Sequence, residues 1–279
     1  MIIFDFNQVV LANLMEQIGY SKNPVEENLV RHMVLNTIRA NIKKFREYGE
    51  VIIACDNKRY WRREVFPPYK AHRKKNREAS GHDWATIFDC MSKIRQELKD
   101  HSPYKVIDVD GAEADDVIGA LVHKYADKEP ILILSSDKDF VQLQTYSGVK
   151  QYSPTLKKFI KADDPIKQLK ELIVTGDTGD GIPNILSPDN SIIDGIRQKP
   201  VTKKFLSEFA QCGTSKFNET MTRNWSRNET LIDLSMIPES ISESIISTYN
   251  ETKPASRQQF MNYMIANRLK NLLEVIDEF

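Results

Sequence analysis

Residues 131–140, ILILSSDKDF, decide the fold. Four aliphatic residues run without interruption into two serines, and Asp137 and Asp139 follow two positions apart. A short apolar run bounded by polar residues is the pattern of a strand buried on both faces of a sheet. The two aspartates then stand just past its carboxyl end, the edge at which open α/β sheets build their sites. Alone the stretch says little, because aspartate also opens turns and caps helices. Its weight comes from repetition, since an apolar strand ending in acid recurs along the chain.

Working outward, IIFDFN ends a first strand at Asp5 and EVIIACDN ends a second at Asp56. KVIDVD leads into GAEADDVIGALVHKYA, where Ala114, Val117, Ile118, Leu121 and Val122 share one helical face. Glu113, Asp115 and Asp116 fall in that helix's first turn. Further helices are expected at 24–48, with Asn23 as cap and Pro24 in the first turn, at 84–99 and at 165–174. VKQYS and KKFIK suit an antiparallel pair at the sheet edge. A short helix at 200–211 carries Lys203 and Lys204, and two or three helices fill 238–279. The alternation predicts an α/β fold, with a mostly parallel central sheet, helices on both faces and a smaller helical C-terminal lobe. The expected division is a core at 1–175, with a basic arch at 58–82, and the lobe at 176–279.

The 279 residues can bury a sizeable core, and 41% hydrophobic with 28% charged residues is ordinary for a globular chain. No apolar run reaches the length of a membrane span, and no basic segment precedes the apolar N-terminus, so a cytosolic protein with no membrane partner is expected. Cys55, Cys90 and Cys212 are odd in number and lack C-x-x-C spacing, which argues against a disulfide framework or a zinc site. The five histidines show no ligand spacing. Net charge is zero, but its distribution is uneven: residues 58–77 hold nine Lys or Arg against one acid, Glu64. Basic residues gathered in one segment and acids bunched at strand ends suit a polyanion-binding site that needs cations.

Parallel strands share one carboxyl edge. Asp5, Asp56, Glu113, Asp115, Asp116, Asp137 and Asp139 should therefore converge there, joined by Asp177 and Asp180 from TGDTGDGIPN. Uncompensated carboxylates crowded into one cleft raise each other's pKa and destabilise the fold. Hard divalent cations resolve the conflict. Mg²⁺ takes carboxylate and water oxygens, and two such ions roughly 4 Å apart suit in-line displacement at phosphorus. Taken singly, each acid has an ordinary explanation as a turn or first-turn residue; the recurrence at one edge favours the joint reading.

The basic segment carries Arg62, Arg63, Lys70, Arg73, Lys74, Lys75 and Arg77 interleaved with Tyr60, Trp61, Phe66 and Tyr69. Aromatics among cations suit stacking bases and neutralised phosphates. Lys70 and Arg73, at i and i+3, would share a face of a helix and are the candidates to reach a scissile phosphate.

The order DFN, ACDN, WRREVFPPYKAHRKKNR, EADD, SSDKDF, GDTGDGIPN resembles the flap endonuclease (5′ nuclease) family, and within it the bacteriophage ribonuclease H branch. The resemblance runs through nearly the whole chain. It implies a PIN-like 5′ nuclease fold with a helix–hairpin–helix-like element, and a nuclease removing RNA primers and short DNA from 5′ ends in phage replication. It also implies two Mg²⁺ ions, with Mn²⁺ as substitute: acids matching Asp56, Asp115 and Asp137 hold the tighter ion, and those matching Asp139 and Asp177 serve the second. Lys70 and Arg73 match the family's arch cations. Implied partners are DNA and RNA–DNA duplexes with a 5′ end, flap or fork, a phage single-strand-binding protein and a sliding clamp. The implied setting is a monomer in the cytoplasm of the infected bacterial host. Two features depart from the family pattern. Gly181 stands where Asn is usual, and NILSPDNSIIDGI replaces a glycine-rich hairpin, which moves the expected duplex grip to Lys203, Lys204 and their neighbours.

Two other functions fit less well. An aspartyl phosphatase wants D-x-D at the first strand, where this chain has Asp5-Phe6-Asn7. A non-catalytic branched-DNA-binding protein would have no need of every acid, and all of them are present.

Overall fold

The computed structural model describes residues 1–18 and 26–279. The first half comprises β1 (Ile2–Asp5), α1 (Phe6–Ile18), α2 (Glu27–Lys44), β2 (Val51–Ala54), α3 (Arg62–Val65), α4 (His72–Ala79), α5 (Trp84–His101), β3 (Lys105–Ile107), α6 (Ala114–Tyr125) and β4 (Ile131–Leu134). After a 3-10 segment at Lys138–Thr145 come β5 (Val149–Ser153), β6 (Lys158–Ile160) and α7 (Pro165–Thr175). The rest is helical: α8 (Lys203–Cys212), α9 (Glu219–Ile232), α10 (Glu239–Glu251), α11 (Arg257–Ala266) and α12 (Lys270–Leu273). The expected cap by Asn23 and Pro24 lies outside the described residues.

The six strands run in the order β3-β2-β1-β4-β5-β6. All neighbours pair in parallel except β5 and β6, which form the expected antiparallel edge. Phe4 stands level with Ile53 on one side and Leu134 on the other, so the strands deliver their carboxyl ends to a common line. Strand order reverses between β1 and β4, and the crevice at such a reversal is where open α/β sheets bind ligands.

Alternate strand residues supply the two cores. Ile2, Phe4, Ile53, Leu132 and Leu134 pack with α1, α2 and α5, and also with Phe260, Tyr263 and Met264 from α11. Ile3, Ile52, Ala54, Ile131 and Ile133 pack with the apolar face of α6 and with Ile245 and Tyr249 from α10. Val174, Ile185 and Phe209 centre a separate cluster with Phe217 and Trp225, whereas α10 and α11 return to cover the sheet. Their apolar faces find a larger partner in the sheet than in each other.

The basic segment divides in the same way. Trp61, Phe66 and Tyr69 are buried, the last two against Ile173, Ile182, Leu231 and Ile232. Lys58, Arg59, Arg63, Glu64 and Val65 reach the surface around these buried rings, and from Lys74 on α4 to Gly81 the expected 58–82 arch is exposed at every residue but the half-buried Arg77. Between α7 and α8 no glycine-rich hairpin forms. Asn184 closes the loop instead, donating to the Lys199 carbonyl at 2.8 Å while accepting from the Ser187 hydroxyl at 2.9 Å.

Candidate active site

The sheet's carboxyl edge gathers acids from five places in the chain. Asp5 ends β1 with its carboxylate buried, accepting from the Ser135 hydroxyl at 2.8 Å and the Gln8 amide at 3.2 Å. Burial, then the charge of Asp56, pushes its pKa up to about 7. Asp56, two residues past β2, accepts from Asn7 Nδ2 at 2.7 Å and from the Ala114 amide at 2.8 Å. That second bond ties the start of α6 to the edge and satisfies one of the free amides of its first turn.

Glu113 and Asp116 sit at the head of α6 but face inward. Asp116 accepts from the Glu113 amide at 2.8 Å and from Trp61 Nε1 at 3.2 Å. Arg62, 2% exposed, lies 3.0 Å from Glu113 and 2.7 Å from Asp116 and donates to the Leu231 carbonyl at 2.9 Å. The Tyr69 hydroxyl stands 3.0 Å from both Glu113 and Asp180. Arg62 and Tyr69, expected on a nucleic-acid surface, are therefore internal. A buried charge needs a buried counter-charge, and Arg62 supplies one for two carboxylates.

Lys70 joins this network. Its Nζ lies 2.6 Å from Glu113 and 3.6 Å from Asp180, while its amide donates to the Asp180 carbonyl at 2.7 Å. Its φ of 55° places a non-glycine residue in the left-handed region. Arg73 donates to Asp180 at 2.5 Å and to the Gly179 carbonyl at 2.9 Å. Burial alone would raise the Asp180 pKa, but Lys70 and Arg73 hold it below the usual value.

Asp137 and Asp139 flank the start of the 3-10 segment. Asp137 accepts from the Asp139 amide at 3.0 Å, and Gln151 braces the turn by donating to the Ser135 carbonyl at 3.0 Å. Both acids titrate high, chiefly through burial; for Asp139 the charges of Asp137, Asp177 and Asp180 add to it. Asp139 Oδ1 is buried with no hydrogen-bond partner among the described residues. Asp115 is driven up in the same way, by burial and then by Asp137, Glu113 and Asp5 against the opposing effect of Lys70. Asp177 accepts from the Gly179 amide at 2.7 Å and pairs with Lys138 at 3.0 Å.

The turn that carries Asp177 and Asp180 depends on two glycines. At Gly176 a side chain would meet the Ile182 carbonyl at 2.4 Å, because the chain doubles back through the Asp177–Ile182 bridge. Gly181 has φ +75° and lies close to the Pro68 carbonyl. Left-handed backbone suits glycine, and asparagine after it, which accounts for Gly181 at a position where asparagine is the expected residue.

The nine acids thus fall into two sets. Glu113, Asp116, Asp177 and Asp180 are paired with Arg62, Lys70, Arg73 or Lys138. Asp5, Asp56, Asp115, Asp137 and Asp139 have no ion pair among the described residues. Among the described residues, no three acidic, His or Cys side chains form a ready ligating set for one ion as they stand. The donor chemistry nevertheless fits a hard divalent cation, because crowded carboxylates without a cation and an orphaned buried oxygen call for positive charge.

Of the other expected binding residues, Arg63, Lys74 and Lys75 are exposed, and Arg77 is half-buried. Lys203 and Lys204 lie exposed on the first turn of α8. Sequence reasoning passed over Asn7, Ser135 and Lys138. Each sits one or two residues from an acid already singled out, and that adjacency was the available signal.

Residues 14–177 match the model of the 5′-3′ exonuclease N-terminal resolvase-like domain. The chain belongs to the 5′–3′ exonuclease family. Residues 166–279 of this 5′ nuclease match the T4 RNase H C-terminal domain. It is 32% identical to the ribonuclease H of Enterobacteria phage T4, over 99% of this chain and 95% of that protein. It is 30% identical to the 5′-3′ exonuclease of Buchnera aphidicola subsp. Schizaphis graminum, over 54% of this chain and 53% of that one. Among solved structures, the T5 D15 protein co-crystallised with metal ions superposes with a TM-score of 0.67 at 15% identity, covering 90% of this chain and 98% of that one. A T5 D15 flap endonuclease complex with DNA and metal ions gives 0.61 at 17% identity, covering 90% and 99%. These structural likenesses bear out the expected fold. No helix of the described residues is long and apolar enough to cross a membrane.

Proposed function

We propose that this 5′ nuclease hydrolyses phosphodiesters at free 5′ ends of RNA primers and DNA on duplex or hybrid substrates, in phage replication inside the bacterial host. The observation that carries the reading is the acid cluster at the β1–β4 crevice, part of it without an ion pair among the described residues, beside Lys70, Arg73 and the exposed cations of α4.

Asp56, Asp115 and Asp137, with Asp5 close by, would hold one divalent cation, and Asp139 with Asp177 a second. Magnesium is the expected ion, with manganese as substitute. Bound there, the ions would supply an activated water and positive charge for the departing oxygen. The chain's own residues do the rest. Lys70 and Arg73 place positive charge where a phosphate entering the crevice would develop negative charge. Glu113 and Asp180, with Tyr69 between them, orient Lys70. Arg63, Lys74, Lys75 and Arg77 neutralise the strand on its way in, and Lys203 with Lys204 would touch the duplex beyond.

A 5′-labelled flap and an RNA–DNA hybrid, incubated with Mg²⁺, with Mn²⁺ and with chelator, test this. Products cut from the 5′ end only when metal is present support it. Equal cleavage in chelator, or binding with a steep salt dependence and no cleavage under any condition, overturns it.

A further inference from the structure

Three surfaces lie outside the site described so far: the loop cavity beside Lys199 and Arg223, the β5–β6 hairpin, and the start of α5. The last carries the most consistent chemistry. Trp84 and Phe88 stand four residues apart on the first two turns of α5, so they share one face. Their rings lie 5.6 Å apart at 32° to each other, and His82 meets Trp84 edge-on at 6.1 Å. Phe88 is 41% exposed, a large apolar ring left in water. The Trp84 indole nitrogen donates to the Ser80 hydroxyl at 2.6 Å, which fixes the ring's orientation.

A line of cations leads from the acids to these rings. Lys70 and Arg73 are anchored on Glu113 and Asp180. Arg77 follows Arg73 by four residues on α4, hence one turn farther along the same face. Its guanidinium lies 5.5 Å from the Phe88 ring centre. The nearby acid Asp83 is spent on capping α5, accepting from the Thr86 amide at 3.1 Å and the Thr86 hydroxyl at 2.7 Å. Cations at one-turn spacing that end on an exposed Phe88 ring, backed by a Trp84 ring half-buried against the core, are the pattern of a single-strand track, with phosphates on the cations and a base on the outer ring.

We infer that Trp84 and Phe88, with Arg77 beside them, form a base-stacking platform for the unpaired 5′ strand of the substrate. The inference rests on the nuclease reading above, because it takes its occupant from the track that begins at the acids. The platform reads no sequence, since every base has a stacking face, and it discriminates strands that carry bases from those that do not.

The test measures binding of the full-length protein in chelator, so that affinity is read without cleavage. Three fluorescent duplexes are compared: one with an unpaired 5′ flap, one with a flap of abasic sites, and one without a flap. Phe88→Ala should weaken binding of the intact flap roughly tenfold, leave the flapless duplex at the wild-type value, and be rescued by Phe88→Tyr. Wild-type protein should lose a similar factor on the abasic flap, a result that needs no variant to fold. Equal wild-type affinity for abasic and intact flaps overturns the platform, as does a Phe88→Ala loss of the same size on the flapless duplex. Cleavage of the intact flap by wild type in Mg²⁺, run in parallel, reports on the nuclease reading separately.

Discussion

Lys70 Nζ lies 2.6 Å from Glu113 Oε1, and the residue reaches that position from left-handed backbone at φ 55°. A lysine pays roughly 1–2 kcal/mol for that conformation, so the surroundings must impose it. They do so through the Lys70 amide, held by the Asp180 carbonyl at 2.7 Å. Strain kept in a site is grounds for a functional hypothesis. Lys70→Ala is expected to lower single-turnover cleavage by about 10²–10³-fold, the range seen when one transition-state donor is removed. Lys70→Gly should cleave as poorly while melting higher than Lys70→Ala, because glycine is at home at that φ. Cleavage rates and Tm of the two variants check both statements.

Asp137→Asn removes one negative charge from the crowded acids and leaves Arg73, α4 and the start of α5 untouched. The variant should bind a 5′-flap substrate with wild-type affinity and show no measurable cleavage in Mg²⁺. In chelator it should melt above wild type, since Asp137 repels and is repelled by Asp180 and Asp177. Wild-type turnover by this variant would remove Asp137 from the site.

The sheet and its acid edge were legible because a strand buried on both faces must be apolar throughout. The runs Ile2–Phe4, Val51–Ala54 and Ile131–Leu134 have no other comfortable reading. The interior role of Arg62 and Tyr69 was not legible. An arginine beside aromatics looks the same whether it faces nucleic acid or a buried carboxylate, and its partners Glu113 and Asp116 lie more than fifty residues away. The return of α11 to the sheet was hidden for a related reason. Phe260, Tyr263 and Met264 announce an apolar face, but nothing local says which surface that face will meet.

Arg62 should prove to be structural. Its guanidinium is buried between Glu113 and Asp116 and donates to the Leu231 carbonyl. Arg62→Met leaves two buried carboxylates short of their counter-charge, a change that costs about 3–5 kcal/mol when a buried pair is broken. Arg62→Lys should recover only part of the loss, because one ammonium cannot reproduce a fork reaching three acceptors. Denaturant unfolding of both variants in chelator gives the measurement.

The metal-free protein should lose stability as pH rises. The folded-state pKa of Asp5 is raised from 3.8 to about 7, and those of Asp115, Asp137 and Asp139 are also raised. A raised acid holds its proton more tightly folded than unfolded. Its contribution is therefore complete below the ordinary carboxylate pKa and disappears as pH passes the folded value. In chelator, Tm should fall between about pH 4 and pH 7. Saturating Mg²⁺ should flatten or reverse that slope, because a cation bound to ionised carboxylates stabilises the folded state more as they lose their protons. A Tm in chelator that rises across the window would contradict the burial of these acids.

Lys138 pairs with Asp177 at 3.0 Å, and a cation arriving at Asp177 must compete with it. The competition is weak. The Lys138 side chain is 62% exposed, and pairs open to solvent are worth about 0.2–1 kcal/mol. Lys138→Ala should therefore lower the divalent-ion concentration needed for half-saturation by a factor of about five at most. The change should appear in the weaker of two binding steps, with the tighter step, assigned to Asp56, Asp115 and Asp137, left in place. Calorimetric titration of both proteins with Mn²⁺ separates the steps. If the tighter step moves and the weaker does not, Asp177 belongs to the first ion.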